Sequence, residues 1–275
     1  MLVSVENVVS SSAWKPNFST TPCSPLTGDS ARICHFALNA GPPGDLDALV
    51  EKSRAACPFC PDKVETITPR FPDDLVPGGR LRRGEARVFP NLFPYDEVSA
   101  IAVLCDAHFH AMDAMPERVV VDGLTAARDF LRLAAPAFAG RAGYGLVTWN
   151  YMPAAGATQV HPHMQMIATS NAGNALRRQL AAERDWHARH GRCHAEMLVE
   201  AERGGPRWIG EDARVQWLVP FAPTGLLGDA QAVFAHAASV TDLDDADIAA
   251  FAGGLVRVLR GFAARGLWSF NLCFL

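Results

Sequence analysis

The sequence predicts an α+β protein built around an antiparallel sheet, and three observations carry that prediction. First, residues 158–168 alternate: His161, His163, Gln165 and Ile167 fall on one side of a strand, while Val160, Pro162, Met164, Met166 and Ala168 fall on the other. The apolar side can bury while the imidazoles and the amide stay on the open side. Second, the runs 144–151 (YGLVTWNY) and 160–169 are joined by the small-residue turn Pro153-Ala154-Ala155-Gly156-Ala157-Thr158, which is hairpin spacing. Third, strands and helices are mixed without the alternation of a doubly wound sheet, and the sequence carries neither a Gly-rich dinucleotide fingerprint nor a P-loop. With 275 residues, 49% of them hydrophobic, the chain can bury a substantial core.

Taken in order, residues 1–44 are rich in Ser, Thr, Pro and Gly and are expected to form an irregular arm with at most short strands. Residues 45–56 (DLDALVEKSRAA) read as a short helix capped by its leading Asp, which delivers the chain to Cys57-Pro58-Phe59-Cys60. Residues 87–94 and 100–105 are strand-forming pieces interrupted by prolines. A helix over 116–135 places Val120, Leu124, Ala127, Leu131 and Ala134 on one face. After the hairpin, 174–190 reads as a charged, exposed helix, and Gly204-Gly205-Pro206 breaks the chain before an apolar strand over 215–221. Residues 244–260 form a capped helix with Ile248, Phe251, Leu255 and Leu259 on one face, and 268–275 is a last strand.

Composition excludes several classes of function. A formal net charge of −4 without long Lys/Arg runs gives no electrostatic footprint for nucleic acid. Residues 1–12 lack a basic segment and a sustained apolar core, so they do not read as a secretory signal. No run approaches the roughly 18 apolar residues of a membrane span. Seven cysteines, an odd number with one close pair, do not make a disulfide framework, so a reduced, cytoplasmic protein is expected.

The pair Cys57 and Cys60 has two readings, a redox dithiol or half of a metal site. A redox motif needs its first Cys at a helix N-terminus just after a buried strand, whereas this one follows a charged helix and precedes Pro61-Asp62. The metal reading takes His161 as a third ligand and His108 or His110 as the fourth, with His108 preferred, giving a closed Cys2His2 zinc site of structural kind. Same-face neighbours on a strand stand about 6.5–7 Å apart, so His161 and His163 need not serve the same partner, and one can hold a metal while the other reacts. His35, His187, His190, His194 and His236 have no comparable neighbours and read as surface or packing residues.

The order Cys57-Pro-Phe-Cys60, Phe89-Pro-Asn91-Leu-Phe-Pro94, His108, Asn150, Gly156-Ala-Thr158 and His161-Pro-His163-Met-Gln165 resembles the galactose-1-phosphate uridylyltransferases and their phosphorylase relatives, of the histidine-triad-like superfamily. The likeness runs from about residue 55 to 170 and more weakly through 207–221. It implies a HIT-like antiparallel sheet with helices packed on it, in two related halves. The arm would be 1–44, the catalytic half with its zinc knuckle 45–190, and the second half 191–275, expected to be incomplete. It also implies a homodimer.

The resemblance implies roles residue by residue. His163 would attack the α-phosphorus of a nucleoside diphosphate sugar; His161 would hold Zn2+ with Cys57, Cys60 and His108. Gln165 would hydrogen-bond the phosphoryl oxygens. Thr158 and the backbone of Gly156 and Ala157 would contact phosphate with Asn150 close by, and Asn91 would sit near the nucleoside. The implied reaction is UDP-glucose plus hexose 1-phosphate exchange, as in galactose and wider carbohydrate metabolism. Inorganic phosphate as acceptor would make the protein a nucleotide or nucleotide-sugar phosphorylase instead. A third reading is a noncatalytic, zinc-stabilised nucleotide-binding protein. For the nucleophile to work, one nitrogen of His163 must be free and the other must donate to a carbonyl that fixes the tautomer.

Overall fold

The computed structural model describes residues 3–5, 17–20, 22–29, 31, 33–34 and 44–274, apart from 141, 213 and 226. The strands are β1 (Val3–Val5), β2 (Asn17–Thr20), β3 (Ile33–Cys34), β4 (Leu81–Arg83), β5 (Ala86–Pro90), β6 (Val98–Val103), β7 (Tyr144–Tyr151), β8 (His163–Thr169), β9 (Trp208–Glu211), β10 (Gln216–Leu218), β11 (Gln231–Val233) and β12 (Phe270–Phe274). The helices are α1 (Leu46–Arg54), α2 (Val64–Ile67), α3 (Glu117–Ala137), α4 (Gly173–His190), α5 (His194–Glu202) and α6 (Asp245–Ala263). The chain falls into two compact units, residues 41–173 with 236–275, and residues 1–40 with 174–235.

The larger unit is an antiparallel α+β structure, as its sequence pattern predicts. Its six strands run in the order β12-β7-β8-β6-β5-β4, each paired antiparallel with its neighbour. One face, carrying Val88, Ala100, Ala102, Val147, Met164 and Met166, is fully buried. Helix α3 packs on this face, with Leu131 against Gly145 and Gly123 against Leu104. The helix forms here because Val120, Leu124, Ala127, Leu131 and Ala134 recur at helical spacing, and all five are at most 2% exposed. Burying each larger side chain stabilises the fold by about 1.5–3 kcal/mol, an upper bound since the unfolded chain is already partly compact. Helix α6 starts at a capping box in which Asp244 accepts from the Asp247 amide and Asp247 from the Asp244 amide.

The opposite face of the sheet bears the chemistry. At its β5–β6 end, Phe89, Ile101 and Val103 are covered by Cys57, Phe59, Cys60 and Val64 in one apolar cluster. Helix α1 leads into that cluster and is capped as expected, Asp45 accepting from the Ala48 amide at 3.1 Å. Strand β8 begins at His163 instead of Val160. Pro162 has no N–H for the ladder, and its carbonyl accepts from the Leu104 amide at 3.0 Å. His161 therefore precedes the strand.

In the smaller unit, β1, β2 and β3 form one antiparallel sheet and β11, β10 and β9 another. The expected irregular arm over 1–44 lies largely outside the described residues. Val199, Leu218 and Val233 form a small core with Ala195, Leu198 and Trp208. Helix α4 buries no residue, in keeping with its charge. Helix α5, β9 and β11 have no strong periodic signature and were not foreseen.

Candidate metal centre and active site

The CxxC loop, the segment after β6 and the residue before β8 bring four donors together. Ligand atoms of Cys57, Cys60, His108 and His161 all lie within 4.8 Å of one another. Cys60 Sγ is 3.4 Å from His108 Nδ1 and 3.8 Å from His161 Nδ1, and Cys57 Sγ is 3.7 Å from His161 Nδ1. A tetrahedral ion with metal–sulfur bonds of about 2.3 Å and metal–nitrogen bonds of about 2.0–2.1 Å sets such atoms about 3.5 Å apart. The donor set thus fits a four-coordinate ion in type, number and spacing. His108 occupies the position, and His110 lies outside the group.

The surrounding hydrogen bonds orient the ligands. His161 Nε2 lies 2.8 Å from the Cys105 carbonyl, which can only accept, so Nε2 carries the proton and Nδ1 keeps a lone pair for the cluster. His108 Nε2 lies 2.9 Å from Ser53 Oγ, and that hydroxyl donates to the Val50 carbonyl at 2.7 Å. The hydroxyl therefore accepts from His108 Nε2–H, which again leaves Nδ1 unprotonated. The Phe59 amide donates to Cys57 Sγ at 3.4 Å. Burial pushes His161 down to about 4 and lowers His108, so both rings are neutral at pH 7. Burial, with the neighbouring Cys57 sulfur, pushes the Cys60 thiol up to about 11. A bound cation reverses that preference, because coordination deprotonates a thiol outright.

His163 sits next to this cluster. Its Nδ1 donates to the His161 carbonyl at 2.8 Å, so the tautomer-fixing carbonyl belongs to the residue whose own ring faces the cysteines. Nε2 has no partner among the described residues, and the side chain is 4% exposed. The Phe59 ring packs 5.2 Å from the imidazole, and burial lowers its basicity. Gln165 is half-buried on the same face, directly opposite Thr148 of β7, so Asn150 shares that face too.

The turn after β7 is strained and internally bonded. Met152 has φ +72°, a region uncommon for residues other than glycine, and Gly156 follows at φ +87°. The Ala155 and Ala157 amides donate to the Met152 carbonyl at 3.0 and 3.3 Å, and the Gly156 amide donates to the Pro153 carbonyl at 2.9 Å. The N–H groups of Gly156 and Ala157, expected to face outward, are engaged within the turn. Thr158 is exposed. Asn91 lies beyond β5, two strands from β8, and its side chain bonds locally, to Ser99 Oγ at 3.3 Å and to the Phe93 amide at 3.1 Å. Ser53 and the Cys105 carbonyl escaped sequence reasoning, since neither carries a pattern of its own.

No family model matches the chain. A protein of Archaeoglobus fulgidus described as uncharacterized is 25% identical over 253 residues, 90% of this chain and 72% of that one. A GalT-like protein of Arabidopsis thaliana superposes with TM-score 0.68 at 18% identity, covering 92% of this chain and 80% of its own. This is a GalT-like fold. An ADP-glucose phosphorylase of Arabidopsis thaliana, solved with bound ADP-glucose, shares the GalT-like fold with TM-score 0.68 at 20% identity and the same coverage. A uridylyltransferase matches with TM-score 0.64 at 20% identity, over 92% of this chain and 79% of the other. No helix among the described residues is long and apolar enough to cross a membrane.

Proposed function

We propose that this protein is a zinc-stabilised nucleotidyltransferase working by double displacement through nucleotidyl-His163. The observation that carries the reading is the bond from His163 Nδ1 to the His161 carbonyl at 2.8 Å, which leaves Nε2 as a free, neutral nucleophile. In the first step the Nε2 lone pair forms a bond to the α-phosphorus of a nucleoside diphosphate sugar, and the P–O bond to the sugar 1-phosphate breaks. The ring then carries positive charge, which the His161 carbonyl stabilises through the Nδ1–H it accepts. In the second step an acceptor phosphate oxygen attacks the same phosphorus and the N–P bond breaks, restoring neutral His163. A leaving phosphate with a second pKa near 6 departs without a proton, so an uncharged Gln165 suffices as a donor to the phosphoryl oxygens.

Cys57, Cys60, His108 and His161 would hold the ion, which supplies rigidity and folding energy and has no open position for substrate. We favour UDP-glucose with a hexose 1-phosphate as acceptor, in a homodimer. A phosphorylase, with inorganic phosphate as acceptor, is the second reading, favoured by the structural likeness to the ADP-glucose phosphorylase.

Incubation with α-labelled UDP-glucose and ADP-glucose should give acid-labile label on the wild type and none on His163→Ala. Equal label on both proteins removes His163 as nucleophile. Chasing the labelled protein with galactose 1-phosphate or inorganic phosphate separates the two acceptors. A wild type that binds donor but takes no label is the noncatalytic protein.

A further inference from the structure

The structure assigns a role to Asn271: we infer that it is a positioning residue that aims the Asn150 amide at the substrate phosphates. The inference rests on the nucleotidyltransferase reading above. Asn271 on β12 stands directly opposite Asn150 on β7 in the antiparallel register, so both side chains leave the sheet on the same face as Gln165. Asn271 Nδ2 lies 2.8 Å from the Ala155 carbonyl and 2.8 Å from Asn150 Oδ1.

These two contacts fix both amides without ambiguity. A backbone carbonyl only accepts, so the Asn271 atom facing Ala155 must be the nitrogen. That nitrogen also faces Asn150, so the Asn150 atom it meets must be the oxygen. Asn150 Nδ2 then points away from Asn271 and donates to nothing among the described residues. It lies 4.0 Å from where a Cβ on Gly156 would stand, over the open backbone of the turn. The turn's own amides at Ala155, Gly156 and Ala157 are engaged internally. Asn150 Nδ2 is therefore the unengaged donor above Gly156, and Asn271 sets its direction. An oxygen of a nucleoside diphosphate is the ligand such a neutral donor suits, because charge on the nonbridging oxygens grows as the N–P bond forms.

The test is the rate of His163 labelling by α-labelled nucleoside diphosphate sugar at saturating and limiting donor, with melting temperature recorded for each protein. Asn271→Ala should slow labelling at saturating donor by about 10–100-fold, a fraction of the roughly 100–1,000-fold loss from deleting a direct oxyanion donor. Half-saturation should move much less, and melting little, since Asn271 is exposed on an edge strand. The near-isosteric Asn271→Asp can only accept and repels Asn150 Oδ1, so it should be slower than Asn271→Ala. Adding Asn271→Ala to Asn150→Ala should cause no further loss, because both changes remove one device. Labelling unchanged in both Asn271 variants, or losses that multiply in the double variant, would overturn the inference while leaving the nucleotidyltransferase reading intact. A wild type that takes no label overturns that reading first and this inference with it.

Discussion

The two ends of the site are held by different forces. At the knuckle end, four side chains converge in an apolar cluster, Cys57 and His161 fully buried, with ligand orientation set by Ser53 and the Cys105 carbonyl. At the turn end, Gly156 and Thr158 are exposed, and the chain is held by local amide bonds and by the cross-strand reach of Asn271. The first arrangement ties the site to folding. The second leaves it exposed to a ligand and contributes little to stability. Changes at the knuckle should therefore reach the chemistry by way of stability, and changes at the turn should reach it directly.

The largest expected effect comes from removing the ion proposed at the knuckle. Zinc added to metal-free protein should raise the melting temperature steeply, and a strong chelator should reverse this, since structural zinc binding free energy is folding free energy, about 10–16 kcal/mol in small peptides. Cys60→Ala should abolish the response. A melting curve indifferent to zinc, chelator and Cys60→Ala would end the contrast between the two ends. A smaller effect is expected from Ser53→Ala, which removes the acceptor of His108 Nε2–H and leaves the proton free to move to Nδ1. Loss of such an outer partner costs about 10–100-fold in metal affinity. Competition with a chromophoric chelator measures it, Ser53→Thr should recover most of it, and equal affinity in Ser53→Ala and wild type would remove the role.

Much of this was legible in the sequence where chemistry and period coincide. The alternation around His161 and His163 places Met164 and Met166 in the core and Gln165 on the opposite, half-buried face, where all three are found. The two imidazoles expected on the open side are themselves buried, His161 at 0% and His163 at 4% exposed, because Phe59 packs against both rings. Cys57, Cys60 and His161 could be grouped, with His108 preferred to His110 as the fourth donor, because a C-x-x-C pair leaves a tetrahedral ion two ligands short and the histidines clustered downstream can supply them. The partners of those groups were not legible. Ser53 meets His108 across 55 positions, and Asn271 meets Asn150 across 121. Each pairing is set by packing or strand register, which local pattern does not encode. The engaged amides of the turn were hidden for a similar reason. A run of small residues signals a tight bend but not which carbonyls its N–H groups find.

Gly156→Ala sharpens the contrast from the turn end with the smallest stability effect. At φ +87° an alanine is strained by about 1–2 kcal/mol, partly offset by the lower entropy of the unfolded chain. Sterically the new methyl is tolerated, since its nearest neighbour is Asn150 Nδ2 at 4.0 Å, an ordinary contact. The protein should therefore fold and bind zinc normally, melting only slightly lower. The same methyl occupies the space beneath the Asn150 donor where a phosphate oxygen is proposed to lie. Labelling of His163 should fall by far more than the stability change alone produces, at least about tenfold if one donor is blocked. A variant that loses stability and labels at the wild-type rate would show that phosphate does not enter over Gly156, and the turn would become a structural corner like any other.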